Sequence, residues 1–179
     1  MAKILILYGT AEGQTRKIAT QVRDWVQAKG HIADLVDSAD LPDDLDLSVF
    51  GAFILAGSLH EGHHQKPLTH FVIAHREDLV RVPSAFLSVS LTAVHDDDPK
   101  HHSEAQACID SFVRQTGWTP TSTTPVAGAL KFTQYDWFKR ALMKAISKKE
   151  GGAIDTTQDH EYTDWPKLQE FIDAFLATL

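Results

Sequence analysis

Several things are scarce in this sequence, and each scarcity removes a class of protein. Among 179 residues there is one cysteine, Cys108. A lone cysteine forms no intramolecular disulfide, which fits a reducing compartment, and Cys108 reads as a small packing residue within a helix. No stretch approaches the roughly 18 consecutive apolar residues of a membrane span. The opening "MAKILILYGT" enters a strand at once and lacks the cleavage region of a secretory signal, so a cytoplasmic location is expected. Positive charge is in deficit: 17 Lys and Arg face 24 Asp and Glu, a net charge of −7, which argues against general nucleic-acid binding. The common nucleotide motifs are missing too. No loop ends in Gly-Lys-Ser/Thr as a P-loop does, and there is no G-x-G-x-x-G, so a nucleoside triphosphate and a dinucleotide are both disfavoured.

What remains is an alternation of apolar runs and amphipathic stretches, in a chain whose length and composition suit one domain over residues 1–179. "KILILY" (3–8) reads as a buried strand. Ile18, Val22, Trp25 and Val26 then recur on one face of a helix over 13–29, which Gly30 stops. "HIADLV" (31–36), "VFGAFILAG" (49–57), "SAFLSVSL" (84–91) and "PVAGAL" (125–130) read as four further strands. Helices are expected over 66–81, over 103–116 up to Gly117, and from Thr163 or Asp164 onward. In this last helix Pro166 sits in the first turn, and Trp165, Leu168, Phe171, Ile172, Phe175 and Leu176 form the apolar stripe. Apolar strands without polar alternation, separated by helices, imply a parallel sheet covered on both faces.

The chemistry concentrates in three strand-to-helix loops. "TAEGQT" (10–15) joins the first strand to the first helix. The N–H groups of a first helical turn have no intrahelical partners and sit at the positive end of the helix dipole, so a phosphate placed there accepts several hydrogen bonds at once. Gly13 permits close approach, and Thr10 and Thr15 add hydroxyls. No basic residue precedes Arg16, so backbone and hydroxyls must do most of the binding. "GSLHEGHH" (57–64) and "SLTAVHDDD" (90–98) leave later strands on the same edge of the sheet. Ligands of open parallel sheets bind outside the carboxyl ends of the strands. Three such loops, one of them phosphate-like, describe a mononucleotide site.

With these residues in place the chain resembles flavodoxin-like proteins, whose phosphate loop has the form Thr/Ser-x-Thr-Gly-x-Thr, with Glu12 here at the third position. The resemblance sharpens to the quinone-dependent protoporphyrinogen IX dehydrogenases of the flavodoxin fold. It is carried by "GTAEGQTRKIA" (9–19), "GSLHEGHH" (57–64), "PSAFLSVSL" (83–91), "AGALKFTQYDWFKRALMKAISKKEGGAIDT" (127–156) and "YTDW" (162–165). It implies an α/β three-layer sandwich with a five-stranded parallel sheet of order 2-1-3-4-5 and a helical insertion after the fifth strand. It implies non-covalent FMN, a porphyrinogen substrate and a membrane quinone as acceptor. Position by position, Thr10, Glu12, Gly13, Gln14 and Thr15 would hold the phosphate, with Ala11 contributing its backbone N–H. Ser58, Leu59, His60, Glu61 and Gly62 would line the isoalloxazine on one side. Ser90, Leu91, Thr92 and Ala93 would line it on the other. Neither ring loop carries an aromatic side chain other than histidine, which leaves the flavin face open to substrate.

Residues 131–149 hold six Lys and Arg against one Asp, so a segment of +5 sits on a remainder of −12. Tyr135, Phe138, Leu142 and Ile146 share one helical face there, and Gly151 and Gly152 end the helix. Two readings stand: peripheral contact of residues 132–150 with an anionic membrane, or an ordinary helix laying its apolar face on the domain. The histidines at 60, 63, 64, 95, 101 and 102 lack the spacing of a zinc-binding helix and have no cysteine nearby, so no metal is expected. "HDDDPKHH" (95–102) reads as a solvated loop. His60 or His63 is a candidate acid or base beside the flavin, but no side chain stands out as a catalytic base. The function expected is an FMN-dependent porphyrinogen dehydrogenase. The alternatives are a flavodoxin-type electron carrier, an NAD(P)H:quinone reductase-like flavoprotein, and a flavodoxin-like binding module without flavin. The oligomeric state is left open.

Overall fold

The computed structural model describes residues 1–95, 98–130 and 159–179. The chain runs β1 (Lys3–Gly9), α1 (Gln14–Ala28), β2 (Ile32–Asp37), β3 (Ala52–His60), β4 (His63–His64), α2 (Lys66–Ala74), α3 (Arg76–Leu79), β5 (Ser84–Ser90), α4 (Pro99–Thr116), β6 (Ser122–Ala127), β7 (Ala129–Leu130), β8 (His160–Glu161) and α5 (Trp165–Leu176). The five long strands lie in the order β2-β1-β3-β5-β6, every neighbouring pair parallel. Counting those strands alone, this is the expected 2-1-3-4-5 order. The two-residue β4 folds back on β3 as a hairpin, and β7 pairs with β8 in a separate antiparallel ribbon.

The uninterrupted apolar runs are explained by alternation with both sides covered. Ile4, Ile6, Ile54, Ala56, Ala85, Leu87 and Val126 face one way, against Ile18, Val22 and Val26 of α1 and Leu168, Ile172 and Phe175 of α5. Leu5, Leu7, Phe53, Leu55 and Phe86 face the other, against Leu68 and Val72 of α2, Ile109 and Phe112 of α4, and the fully buried Trp118. The terminal helix buries the expected stripe, and Trp165 meets Trp25 edge-on with centroids 6.2 Å apart. Asp164 caps it, its side chain accepting from the Lys167 N–H at 3.0 Å.

Four boundaries differ from the sequence expectation. The third strand starts at Ala52 and runs on to His60, because Leu47–Val49 form a 3-10 turn capped by Asp46. The expected helix over 66–81 is divided at His75, whose backbone (φ −115°, ψ 20°) leaves the helical region. The last strand of the sheet begins at Ser122, not Pro125. Proline is tolerated because β6 is an edge strand, paired among the described residues with β5 alone. The "HDDDPKHH" stretch is not wholly loop: Pro99 opens α4, and Asp98 caps it by accepting from the N–H groups of Lys100 and His101. Aspartate followed by proline is an N-cap and first-turn pair. The basic helix expected over 132–149, its Gly151–Gly152 stop and the membrane contact through 132–150 lie outside the described residues. Among the described residues no helix is long and apolar enough to cross a membrane.

Candidate functional site

Parallel strands present all their carboxyl ends on one edge, and a cleft lies there where β1, β3, β5 and the turn after β6 meet. Thr10, Ala11, Glu12, Gln14 and Thr15 form one wall. Ser58, Leu59 and His60 form a second. Val89, Ser90 and Leu91 form a third, and Gly128 and Ala129 close the fourth. The cleft opens to solvent, and about 80 Å³ of it is roomy enough for water-sized groups.

The first wall is built by Gly13, which caps α1 in the left-handed region (φ 84°, ψ −11°). A Cβ there would meet nothing within 4 Å, so the need for glycine is conformational. The Gly13 N–H donates to Thr10 Oγ1 at 2.9 Å, which folds the loop over the helix start. The next N–H groups, those of Gln14 and Thr15, belong to the helix turn that has no carbonyl behind it. Thr15 is 1% exposed, and its Oγ1 is buried with no hydrogen-bond partner among the described residues; Ser58 Oγ is in the same state. Two orphaned hydroxyls in one cleft are the sign of a polar ligand, because an unpaired buried hydroxyl costs free energy that nothing else recovers.

The second wall is a hairpin whose turn is made by Glu61 (φ 50°) and Gly62 (φ 82°), both exposed. Its return arm ends in His64, 6% exposed. The His64 ring packs edge-on against Phe86 at 5.2 Å and Phe112 at 4.7 Å, and Nε2 lies 3.0 Å from Ser88 Oγ. Burial pushes its pKa down to about 4, with the neighbouring His63 adding to the effect. Gly57, where this wall leaves β3, lies under the same ring. A Cβ on it would stand 2.7 Å from Leu68 Cδ2 and 3.1 Å from His64 Cδ2.

The structure therefore brings together most of the residues singled out in the three loops. Gly13 contributes backbone conformation, and Glu61 and Gly62 form the hairpin turn beyond the cleft wall. Thr92 and Ala93 also lie outside that wall: the 3-10 turn Thr92–His95 carries Ala93 inward against Ala105 and Ala127. The Gln14 side chain is turned toward the far end of the chain, its Nε2 donating to Thr163 Oγ1 at 3.0 Å. Val89, Gly128 and Ala129 were not foreseen. The "AGAL" run held the signal for the last two, since small residues at a strand's carboxyl end let a ligand approach the backbone. Among the described residues no group of three or more His, Cys, Asp or Glu is placed to hold a metal ion.

A doubly wound parallel sheet with a helix-start anion cradle beside an apolar cleft is the architecture of a flavodoxin-like protein. The flavodoxin domain family matches residues 5–157. The protoporphyrinogen IX dehydrogenase [quinone] of Leishmania major is 32% identical over 98% of this chain and 75% of its own length. The enzyme of that name from Escherichia coli K12 is 31% identical over 94% of this chain and 92% of its own. Among solved structures, oxidised flavodoxin 1 from Bacillus cereus superposes with a TM-score of 0.57 at 13% identity, over 99% of both chains. The apo form of an NADH:FMN oxidoreductase superposes at 0.56 and 13% identity, over 100% of this chain and 90% of that one. The chain belongs to the flavodoxin domain family and, within it, to the family of quinone-linked protoporphyrinogen IX dehydrogenases.

Proposed function

We propose that this protein is an FMN-dependent dehydrogenase that oxidises protoporphyrinogen IX and passes the electrons to a quinone. The observation that carries the FMN assignment is that Thr15 and Ser58, two residues lining one cleft, each hold a buried hydroxyl with no partner among the described residues. The substrate follows the relatives, whose names state that activity and whose sequences match this chain nearly end to end.

The residues present fit the cofactor. Thr10, Ala11, Glu12, Gly13, Gln14 and Thr15 would hold the phosphate, chiefly through backbone N–H groups and the two threonine hydroxyls. Among the described residues no Lys or Arg lines the cleft, and helix-start amides would supply positive potential. Ser58, Leu59 and His60, with Glu61 and Gly62 in the turn behind them, flank the ring system on one side. Ser90 and Leu91, followed by Thr92 and Ala93, flank it on the other. Neither of these two loops carries an aromatic side chain other than histidine, which would leave one flavin face open to a substrate. When bound, FMN supplies the redox chemistry, and the protein supplies orientation and electrostatics. Reconstitution tests this directly: the purified protein takes up FMN stoichiometrically and turns yellow, whereas a colourless protein that FMN fails to load would overturn the assignment.

The quinone places the reaction near a bilayer. The basic residues of 131–149 suit peripheral contact with the anionic face of the cell membrane, each exposed Lys or Arg there being worth about 1 kcal/mol. Replacing Lys139, Arg140, Lys144, Lys148 and Lys149 together by glutamine abolishes co-sedimentation with phosphatidylglycerol vesicles on this reading. Unchanged binding would count against it.

A further inference from the structure

Thr163 lies 149 positions after Gln14 in the chain, yet the two meet in the interior. Thr163 is 9% exposed. Its hydroxyl accepts from Gln14 Nε2 at 3.0 Å and donates to the Ala127 carbonyl at 2.8 Å. Ala127 is the last residue of β6 and leads directly into Gly128 and Ala129, the fourth wall of the cleft. That wall is tied onward in both directions. The Gly128 N–H donates to the Ser90 carbonyl at 3.0 Å, and the Tyr162 N–H donates to the Gly128 carbonyl at 3.1 Å. A continuous series of hydrogen bonds thus runs from the first turn of α1, through Thr163, to the wall that faces it.

A second contact braces the same joint from outside. Lys17, one turn along α1, pairs with Glu161 of β8 at 2.6 Å and stands 5.5 Å over the Trp165 ring. Burial raises the Glu161 carboxyl, but its bonds to Lys17 and Gln14 outweigh that and hold it low. Lys17 remains largely exposed, so this pair contributes little stability by itself. The Thr163 hydroxyl is the buried part of the joint.

We propose that Thr163 is a positioning residue for flavin binding: its hydroxyl fixes Gln14, and through it the first turn of α1, against the Ala127–Ala129 wall. The proposal rests on the reading of this cleft as the FMN site. Gln14 then serves the phosphate with its backbone N–H, because its side-chain amide is committed to Thr163. A ligand that orders the helix start strengthens the Thr163 contacts, and by linkage those contacts strengthen the ligand. The β7–β8 ribbon, which leaves the wall at Leu130 and returns at His160, is coupled to flavin occupancy by the same bonds.

The test uses the whole protein with FMN titrated by fluorescence quenching and amide exchange followed in residues 159–165. Thr163→Val keeps the shape and removes the hydroxyl, whereas Thr163→Ser keeps the hydroxyl. Valine is expected to weaken FMN binding by about tenfold and serine by no more than about twofold. FMN slows exchange over 159–165 in the wild type and the serine variant, but not in the valine variant. A merely structural residue would change exchange equally with and without FMN. If the valine variant does not fold, Gln14→Leu cuts the same bond from the other side and is expected to behave the same way. Wild-type FMN affinity in the variant that folds, or wild-type FMN protection of 159–165 there, overturns the proposal while the FMN site stands. Failure of the wild type to bind FMN overturns both.

Discussion

His64 and Ser88 meet on the buried face of the sheet, the imidazole Nε2 3.0 Å from the serine hydroxyl and the ring enclosed by Phe86 and Phe112. The contact ties the end of the β3–β4 hairpin to the middle of β5. β3 and β5 are already paired up to Ser58 and Val89, and this contact holds the returning arm of the hairpin against them.

That burial has a pH signature. His64 is held near a pKa of about 4 against an ordinary 6.5, so between those values the unfolded chain binds a proton that the fold refuses. Stability accordingly falls as pH falls. At about 1.36 kcal/mol per pH unit, this one residue removes about 3 kcal/mol between pH 6.5 and 4. The His64→Phe variant lacks the titrating group. Its denaturant midpoint is expected to decline less over this range than that of the wild type. Parallel declines would show that His64 is not the source.

The orphaned hydroxyl of Thr15 makes a prediction with opposite signs in two measurements. In Thr15→Val an unsatisfied buried oxygen is replaced by a methyl group. The flavin-free protein is expected to gain up to about 1 kcal/mol, while FMN binding weakens about fivefold or more. Thermal melting of the flavin-free protein and FMN titration check the two halves. Lost stability with unchanged FMN affinity would mean that the hydroxyl serves the fold and not the ligand.

Glu12 sets the electrostatics of the same wall. It lines the cleft and is half-buried, and a carboxylate within about 4 Å of a phosphate charge costs about 1 kcal/mol even in water. Glu12→Gln is expected to tighten FMN binding about fivefold at low salt, with a smaller gain at high salt as screening sets in. An affinity indifferent to the substitution and to salt would place the carboxylate's charge away from the phosphate.

The distribution of what could be read from sequence follows the physics of each element. The five long strands and the three loops at their ends were legible because buried parallel strands are written as unbroken apolar runs and ligand loops as interruptions rich in Gly, Ser and Thr. The start of β6 was misplaced because Pro125 looks like a boundary, and only the tertiary fact that β6 is an edge strand makes proline acceptable within it. The role of His64 was hidden for a different reason. It stands in "HEGHH" beside two exposed histidines, and nothing local separates the one that the hairpin turns inward. The Gln14–Thr163 bond spans nearly the whole chain, a separation at which no spacing rule operates.

Anaerobic oxidation of protoporphyrinogen IX by the FMN-loaded protein with a water-soluble quinone is the decisive measurement for the proposed reaction. Porphyrin fluorescence is expected to appear only with quinone present, to be absent from the flavin-free protein and to be restored by added FMN. A flavin-loaded protein that exchanges electrons with a flavodoxin reductase but never oxidises the porphyrinogen would contradict it and leave an electron carrier in its place.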